Sequence, residues 1–246
     1  MSDSAQIEIE VKNIKKKFGP NQALNGVSTV FDSGLMHGVI GPEGAGKTTL
    51  FRHLVGLLTQ QEGLVLYRTN GVATELELIR KKIAYMPQQQ SLYADLSISE
   101  HLDFFREMYN LTPEDFRAKR ERLLNITRLE KFVDRPAGKL SGGMYKKLGL
   151  MCALMSSPSA LLLDEPTNGV DPISRREFWD LLYQLRDEKI LIIISTAYMD
   201  EAERCSKVHL LSAGKLIGEG EPKNLISQSG CKNFDEYFLG HQTEEV

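Results

Sequence analysis

Apolar and polar positions alternate at the start of the chain and give way later to continuous apolar runs. Ile7–Val11 alternates, which predicts a strand with one buried face. Leu161–Leu163 and Ile190–Ser195 are continuous apolar runs, the second ending in a serine, as expected of parallel strands covered by helices on both faces. Further segments predicted in the first third are the strands Val27–Phe31 and Met36–Ile40 and a helix over Lys47–Leu58. The pattern predicts an α/β fold.

Helix signals dominate the middle of the chain. Ser97 and Glu100 have the spacing of a capping box, in which each side chain bonds an open amide at the helix start. Thr112 followed by Pro113 predicts a second helix start. Because residues 92–155 show only helix patterns, we expect a helical subdomain inserted into the α/β core.

The last third returns to the mixed pattern. Asp171-Pro172 predicts the start of a helix with an apolar face made of Phe178, Leu181, Leu182 and Leu185. Val208–Leu211 and Leu216–Gly218, joined at Ala213-Gly214, predict a hairpin. We therefore predict one domain over residues 1–246, with its core in 1–91 and 156–221, the helical subdomain in 92–155 and a tail in 222–246.

The composition excludes several classes of protein. The chain has 246 residues, a formal net charge of -3, and 41% hydrophobic and 26% charged residues, which is typical of a globular protein. No stretch concentrates Lys and Arg, so nucleic acid is not expected as the main ligand. No apolar run approaches the about 20 residues that span a bilayer, and Met1–Ala5 does not begin a signal sequence. Cys152, Cys205 and Cys231 are widely spaced, which favours reduced thiols in the cytosol.

A phosphate-binding loop lies between a predicted strand and a predicted helix. The segment reads, in order, Gly41, Pro42, Glu43, Gly44, Ala45, Gly46, Lys47, Thr48 and Thr49. This matches the pattern in which backbone amides converge on phosphate oxygens while Lys47 reaches the β and γ phosphates. Thr48 is expected to bind Mg²⁺, and Thr49 to contact the α phosphate. A glycine-rich turn arising by chance is the alternative, which the full match in this setting disfavours.

A second motif narrows the choice among protein families that have such a phosphate loop. Leu140-Ser141-Gly142-Gly143-Met144 follows the phosphate loop and resembles the signature motif of ABC ATPases. A Ser-Gly-Gly turn that opens a helix presents amides, a hydroxyl and the helix dipole to an anion. The resemblance extends from about Ile7 to Gly220 and implies a P-loop NTPase core with a mostly parallel sheet, an N-terminal antiparallel β subdomain and the helical insertion.

The resemblance also implies roles for individual residues. Leu161–Pro166 is similar to the Walker B strand, so Asp164 would hold Mg²⁺ and Glu165 would polarise the attacking water. Gln88 matches the Q-loop glutamine, which senses Mg²⁺ and faces the transmembrane partner, although Gln89 and Gln90 follow it. Asp171 lies in a segment that resembles the D-loop, where it would meet a partner subunit. The implied catalytic residues are Glu165, Lys47 and Gln88; the implied Mg²⁺ ligands are Thr48, Gln88 and Asp164.

Phe18, followed by Gly19, matches the aromatic position that stacks on adenine in this family. A phenylalanine this near the start of a chain is more often part of a core. The signature and the segment Asp200–Cys205 resemble the exporter branch, which includes drug, antibiotic and polysaccharide efflux systems. The expected ATP contacts are Phe18, the loop from Gly41 to Thr49, Gln88, Ser141, Gly142, Gly143, Asp164 and Asp171.

Two residues depart from the family pattern. Glu43 places a negative charge beside a polyphosphate, and we expect its side chain to point outward. Ala197 stands where the family has a histidine that contacts the γ-phosphate. No other histidine is an evident substitute, and each is expected to be structural or exposed. These are His37, His53, His101, His209 and His241.

The resemblance implies a transport function, with two alternatives kept open. Two such domains would clamp two ATP molecules head to tail, as a homodimer or heterodimer, on the cytoplasmic face of a transmembrane permease. Because of Ala197, the chain could instead be a degenerate half-site that binds ATP and hydrolyses it poorly beside a competent partner. A soluble ABC ATPase acting on ribosomes or in DNA repair is the third possibility, though the tandem domains, coiled coil or zinc motif of that class are absent from this sequence.

Overall fold

The computed structural model describes residues 6–242, without the side chains of the last two. The predictions made for Met1–Ala5, for the acidic end of the tail and for the His241 side chain lie outside this range. The strands are β1 (Ile7–Phe18), β2 (Asn21–Phe31), β3 (Met36–Ile40), β4 (Glu62–Thr69), β5 (Val72–Thr74), β6 (Ile83–Met86), β7 (Ala160–Asp164), β8 (Leu191–Thr196), β9 (Lys207–Ser212) and β10 (Lys215–Gly220). The α-helices are α1 (Lys47–Leu54), α2 (Leu76–Ile79), α3 (Ile98–Met108), α4 (Pro113–Thr127), α5 (Gly142–Leu154), α6 (Pro172–Asp187), α7 (Pro222–Ser229) and α8 (Phe234–Gln242).

The strands form two sheets. The first has four antiparallel strands in the order β2-β1-β4-β5. The second has the order β10-β9-β3-β8-β7-β6, in which only the β9–β10 pair is antiparallel. The predicted α/β class, with an antiparallel sheet beside a mostly parallel one, is confirmed.

Alternate residues of the central strands face two different cores. In β8, Leu191 and Ile193 pack with the antiparallel sheet and α1, while Ile192 and Ile194 pack with the helices on the opposite face. Leu161 to Leu163 of β7 divide in the same way. This explains why both strands are apolar without interruption, since each of their faces is covered.

The predicted helix starts are present, and one predicted helix end is wrong. Ser97 and Glu100 form the complete capping box of α3, and Thr112 caps α4 by accepting from the Asp115 amide at 3.1 Å. Helix α1 ends at Leu54 instead of Leu58, because Gly56 adopts a positive φ of 69° and turns the chain. The amides of Gly56 and the following residue return to α1 carbonyls at 3.0 and 2.8 Å, which is a Schellman motif.

The predicted hairpin and the apolar face of α6 are also present. Ala213 and Gly214, both with positive φ, form the two-residue turn between β9 and β10. Within residues 6–242, no helix combines the length and the apolar character needed to cross a membrane. The three cysteines are free.

Candidate functional site

The glycine-rich loop connects β3 to α1 and is packed too closely to carry side chains. Gly44 and Gly46 have φ values of 76° and 104°, a region that glycine adopts readily. A Cβ on Gly41 would lie 2.1 Å from the Leu211 carbonyl oxygen, and one on Gly46 would lie 2.4 Å from that of Ala23. The loop is therefore shaped by contacts with neighbouring strands.

Lys47 is the first residue of α1, and its ammonium group is held inside the loop. Its Nζ donates to the carbonyl oxygens of Gly41 and Pro42 at 2.8 and 2.9 Å. It also lies 3.1 Å from the Oε1 atom of Glu165, and both side chains are more than nine-tenths buried. A buried carboxylate is tolerated when it is paired in this way. Glu43 is exposed, as expected.

Glu165 has a left-handed backbone and is fixed on several sides. Its φ is 46°, which is uncommon outside glycine. Its amide faces both Ser195 Oγ and Ser195 O, at 2.9 and 3.1 Å. Its Oε2 accepts from Gln88 Nε2 at 2.7 Å and from Asn168 Nδ2 at 3.1 Å. The structure thus brings together Lys47, Glu165 and Gln88, the three residues predicted to be catalytic.

Asp164 ends β7 and is completely buried. Its two oxygens accept from Ser195 Oγ at 2.5 Å and from Tyr85 OH at 3.2 Å. Burial and the adjacent Asp164 carboxylate raise the pKa of Tyr85, so its phenol stays a donor to that carboxylate. These bonds fix the orientation of the Asp164 carboxylate.

The expected metal ligands supply oxygens that suit Mg²⁺. They are the Thr48 hydroxyl, the Asp164 carboxylate and the Gln88 amide oxygen, whose NH₂ group is already bound to Glu165. Mg²⁺ in nucleotide sites is held by one or two carboxylates together with water and phosphate. Asp164 is such a carboxylate, so this donor set fits. Within residues 6–242, no three His, Cys, Asp or Glu side chains form a metal-binding group.

Ser141 to Gly143 form the start of α5. Ser141 caps the helix by accepting from the Met144 amide at 3.3 Å, and it is exposed together with Gly142. Gly143 is buried, and a Cβ there would lie 2.4 Å from Ser174 Cβ on α6. The first turn of α5 therefore presents an exposed hydroxyl and amides beside the start of α6.

Two other predicted contacts lie at the surface. Asp171 caps α6 by accepting from the amides of Ile173 and Ser174 at 3.1 and 3.0 Å, and these bonds, chiefly that from Ser174, lower its pKa. Phe18 is 47% exposed, so the alternative that it belongs to the core is wrong. Lys16 Nζ lies 5.6 Å from its ring centre.

Ala197 follows the last residue of β8 and is half-buried. The carbonyl of the preceding Thr196 accepts from the Gly41 amide at 3.2 Å, so position 197 is next to the start of the phosphate loop. Of the histidines, His37, His53, His101 and His209 are all buried. His53 Nδ1 donates to the Thr49 carbonyl oxygen on α1 at 2.7 Å, and the others pack within the fold.

Sequence reasoning missed several residues that complete the site. Asn168 bonds the carboxylate of Glu165, and the carboxylate of Asp164 is bonded by Ser195 and Tyr85. Lys146 Nζ lies 3.4 Å from the carbonyl oxygens of Gln88 and Glu165, and burial lowers its pKa. Ser195 and Tyr85 were detectable as polar residues in apolar strands that flank β7.

Comparison with known proteins identifies relatives of this chain. Residues 24–168 match the family model described as ABC transporter. The chain is 41% identical to the Probable multidrug ABC transporter ATP-binding protein YbhF of Escherichia coli (strain K12), over 92% of this chain and 39% of that protein. It is 35% identical to the Nod factor export ATP-binding protein I of Burkholderia lata, over 93% of this chain and 76% of that protein. The chain thus spans about two fifths of the length of the first relative.

Solved structures share the fold. One described as an ATP binding subunit of an ABC transporter superposes with a TM-score of 0.81 at 28% identity, covering 94% of this chain and 98% of that one. Another, the dimeric structure of MJ0796, a bacterial ABC transporter cassette, has a TM-score of 0.76 at 26% identity and covers 87% and 98%.

Proposed function

Because this chain belongs to the ABC transporter family and carries its ATP-binding ATPase domain, we propose that it drives an export system. The observation that carries the proposal is the contact of Lys47 and Gln88 with Glu165, at 3.1 and 2.7 Å, beside the glycine-rich loop. In the proposed function, these three side chains are a cation that binds phosphate, a carboxylate that activates water and an amide that senses Mg²⁺. Export is supported by the names of the two relatives, a multidrug transporter protein and a Nod factor export protein.

In this function, Lys47 and the loop amides bind the ATP phosphates, since charge-assisted hydrogen bonds to phosphate are the strong ones. Thr48, Asp164 and Gln88 hold Mg²⁺, which neutralises charge on the phosphates when it is bound. Glu165 orients the attacking water. Phe18, exposed at the end of β1, offers its ring face to adenine.

Two such domains are proposed to pair head to tail. The exposed Ser141 hydroxyl and the open amides at the start of α5 would then face the ATP of the other subunit. Asp171, beside this helix start, would lie in the same interface. The dimeric state of the related MJ0796 cassette supports the arrangement.

The transmembrane permease is proposed to dock near the Gln88 loop. Four large side chains are exposed there and on α3, namely Tyr93, Phe104, Met108 and Tyr109. The Tyr93 and Phe104 rings meet edge to face, with centres 5.7 Å apart. Clustered exposed apolar side chains mark interaction surfaces, and this one would hold the chain at the cytoplasmic face of the membrane.

One observation favours a second candidate, an ATP-binding half-site of low activity. Ala197 offers only a methyl group beside the phosphate loop, so a donor to the γ-phosphate is lost. In this case the chain binds ATP and pairs with a competent ATPase domain.

The Lys47→Ala substitution tests ATP binding. Besides losing the cation, the variant leaves Glu165 without its buried partner, and that negative charge then opposes the phosphates. We expect ATP affinity to fall by roughly 100-fold or more, given the strength of hydrogen bonds to charged groups. Isothermal titration calorimetry with Mg²⁺ and ATP measures this, with the exposed Lys81→Ala as control. Equal affinity in both variants would remove Lys47 from the site.

A further inference from the structure

A buried carboxylate lies next to the candidate site and joins three segments of the chain. Glu201 is completely buried in the turn Met199–Arg204. Its Oε1 accepts from Thr167 Oγ1 at 2.9 Å, Arg175 Nε at 2.7 Å and Trp179 Nε1 at 3.0 Å. Because an unpaired buried charge is very unfavourable, these donors and Glu201 hold each other in place.

Thr167 connects this cluster directly to Glu165. It lies two residues after Glu165 in a tight turn, in which the Asn168 amide donates to the Glu165 carbonyl oxygen at 3.2 Å. The left-handed backbone of Glu165 is energetically unfavourable for a residue with a side chain and persists only where the surroundings enforce it. The bond from Thr167 to Glu201 anchors the turn that does so.

Tyr198 makes a second connection. Its ring lies under the Arg175 guanidinium, with 4.4 Å between Cζ and the ring centre. Its hydroxyl lies 3.5 Å from Asn168 Oδ1, and the Asn168 NH₂ group bonds Glu165 Oε2. Arg175 itself is fixed by both carboxylate oxygens of Asp200, each at 2.7 Å.

We propose that Arg175 and Glu201 form a clamp that positions Glu165 for water activation, acting through Thr167 and Tyr198. Thr167 fixes the backbone of the turn, and Tyr198 fixes the amide of Asn168 against the carboxylate. The loop that carries Ala197 thereby acts on the hydrolytic carboxylate without an imidazole. These four are positioning residues, and the inference rests on the proposed role of Glu165.

Removing one hydroxyl at a time tests the clamp in the full chain. Thr167→Val and Tyr198→Phe keep the shape of each side chain and delete only the bonding group. We expect kcat to fall about tenfold for each and further for the double variant, as for the loss of a hydrogen bond. The ATP affinity stays within about twofold, since the contacts of Lys47 are untouched.

Thr127→Val is the matched control. Thr127 is as buried as Thr167, and its hydroxyl donates to the Leu123 carbonyl oxygen within α4 at 2.7 Å. The control is expected to lower thermal stability to a similar extent while leaving kcat unchanged. An equal loss of turnover in this control would mean that the clamp is merely structural and would overturn the inference.

Crystal structures of wild type and the double variant give a readout independent of turnover. The inference predicts that Glu165 loses its positive φ or its contact with Gln88, which is 2.7 Å in the wild type. If both are retained in the double variant, the clamp does not position Glu165. A wild-type chain that fails to bind ATP would instead overturn the proposed function, and the structures would still decide the positioning question.

Discussion

At the residue scale, Lys47 and Glu165 illustrate how the same contact serves folding and chemistry. Their ion pair neutralises two buried charges, and it places the carboxylate beside the loop where the γ-phosphate is proposed to lie. The motifs predicted both residues. They did not predict the left-handed backbone of Glu165, whose amide bonds Ser195 on β8, a strand distant in sequence.

The Ala197→His substitution tests the half-site hypothesis at this scale. Position 197 follows the residue whose carbonyl binds the Gly41 amide, so an imidazole there would be close to the phosphates. Because loss of one donor to a transition state costs about 10²–10³ in kcat, restoring it is expected to raise turnover substantially. Steady-state phosphate release at saturating ATP measures this, alone and with a neighbouring ATPase domain. Ala197→Leu controls for size, and a wild type already as fast as Ala197→His would refute the half-site.

At the element scale, helix starts were predictable and one helix end was missed. Ser97 and Thr112 are local signals whose bonds stay within a few residues, so sequence spacing suffices to find them. Gly56 was an available stop signal for α1 that the apolar pattern through Leu58 obscured. By contrast, no local sequence pattern shows that the Asn168 side chain bonds Glu165, because that bond depends on the shape of the turn.

Strands β2, β3, β9 and β10 are joined by a buried row of polar contacts. His37 Nδ1 lies 3.0 Å from His209 Nε2, and His209 Nδ1 lies 2.7 Å from Thr29 Oγ1. Thr29 donates to Glu219 at 2.6 Å, and the far side of His37 bonds the Asp32 carbonyl oxygen. These contacts link the antiparallel sheet to β3, the strand that leads into the phosphate loop.

The two histidines in this row of contacts predict that the protein loses stability in acid. Burial, together with the neighbouring His209 and Lys207, lowers the pKa of His37 to about 3, and burial also lowers the pKa of His209. In the unfolded chain a histidine has a pKa of about 6.5, so the unfolded state takes up protons first as the pH falls below that value. Bonds from His209 and Thr29 lower the pKa of Glu219 to about 2, so its contribution is lost only between about pH 4.3 and 2.

We therefore expect His37→Gln to flatten the pH dependence of the melting temperature. One histidine kept neutral in the fold costs about 1.4 kcal/mol of unfolding free energy at pH 5.5 relative to pH 8. Differential scanning calorimetry at both pH values measures the difference between variant and wild type. The comparison at pH 8 controls for lost packing. If the melting temperature of the variant changes with pH as much as that of the wild type, His37 does not cause the loss of stability in acid.

At the scale of the whole molecule, the proposed site is complete only if two domains pair. Within one chain, the bonds of Ser141 stay in α5, where its carbonyl and side chain accept from Tyr145 and Met144. The family resemblance predicted the mostly parallel sheet and the antiparallel β subdomain, because the motifs that carry it belong to that fold. The transported substrate has no such signal in this chain.

The Glu165→Gln substitution tests pairing. The amide keeps the size of the carboxylate but cannot accept a proton from water, so bound ATP persists and a closed dimer should accumulate. Size-exclusion chromatography with Mg²⁺ and ATP is expected to show a shift from monomer to dimer, provided the chain pairs with itself. The same variant carrying Lys47→Ala should remain monomeric. Normal turnover in Glu165→Gln would show that another group activates the water.

Alternate side chains of β7 and β8 belong to different cores, and this determines how a destabilising substitution affects the rest of the fold. Ile192 and Ile193 are neighbours in sequence, yet each belongs to a different core. A substitution that loosens one core shifts a strand that is also a wall of the other. The two cores are therefore expected to melt as one cooperative unit, and the phosphate loop, rooted in β3 between them, reports on both.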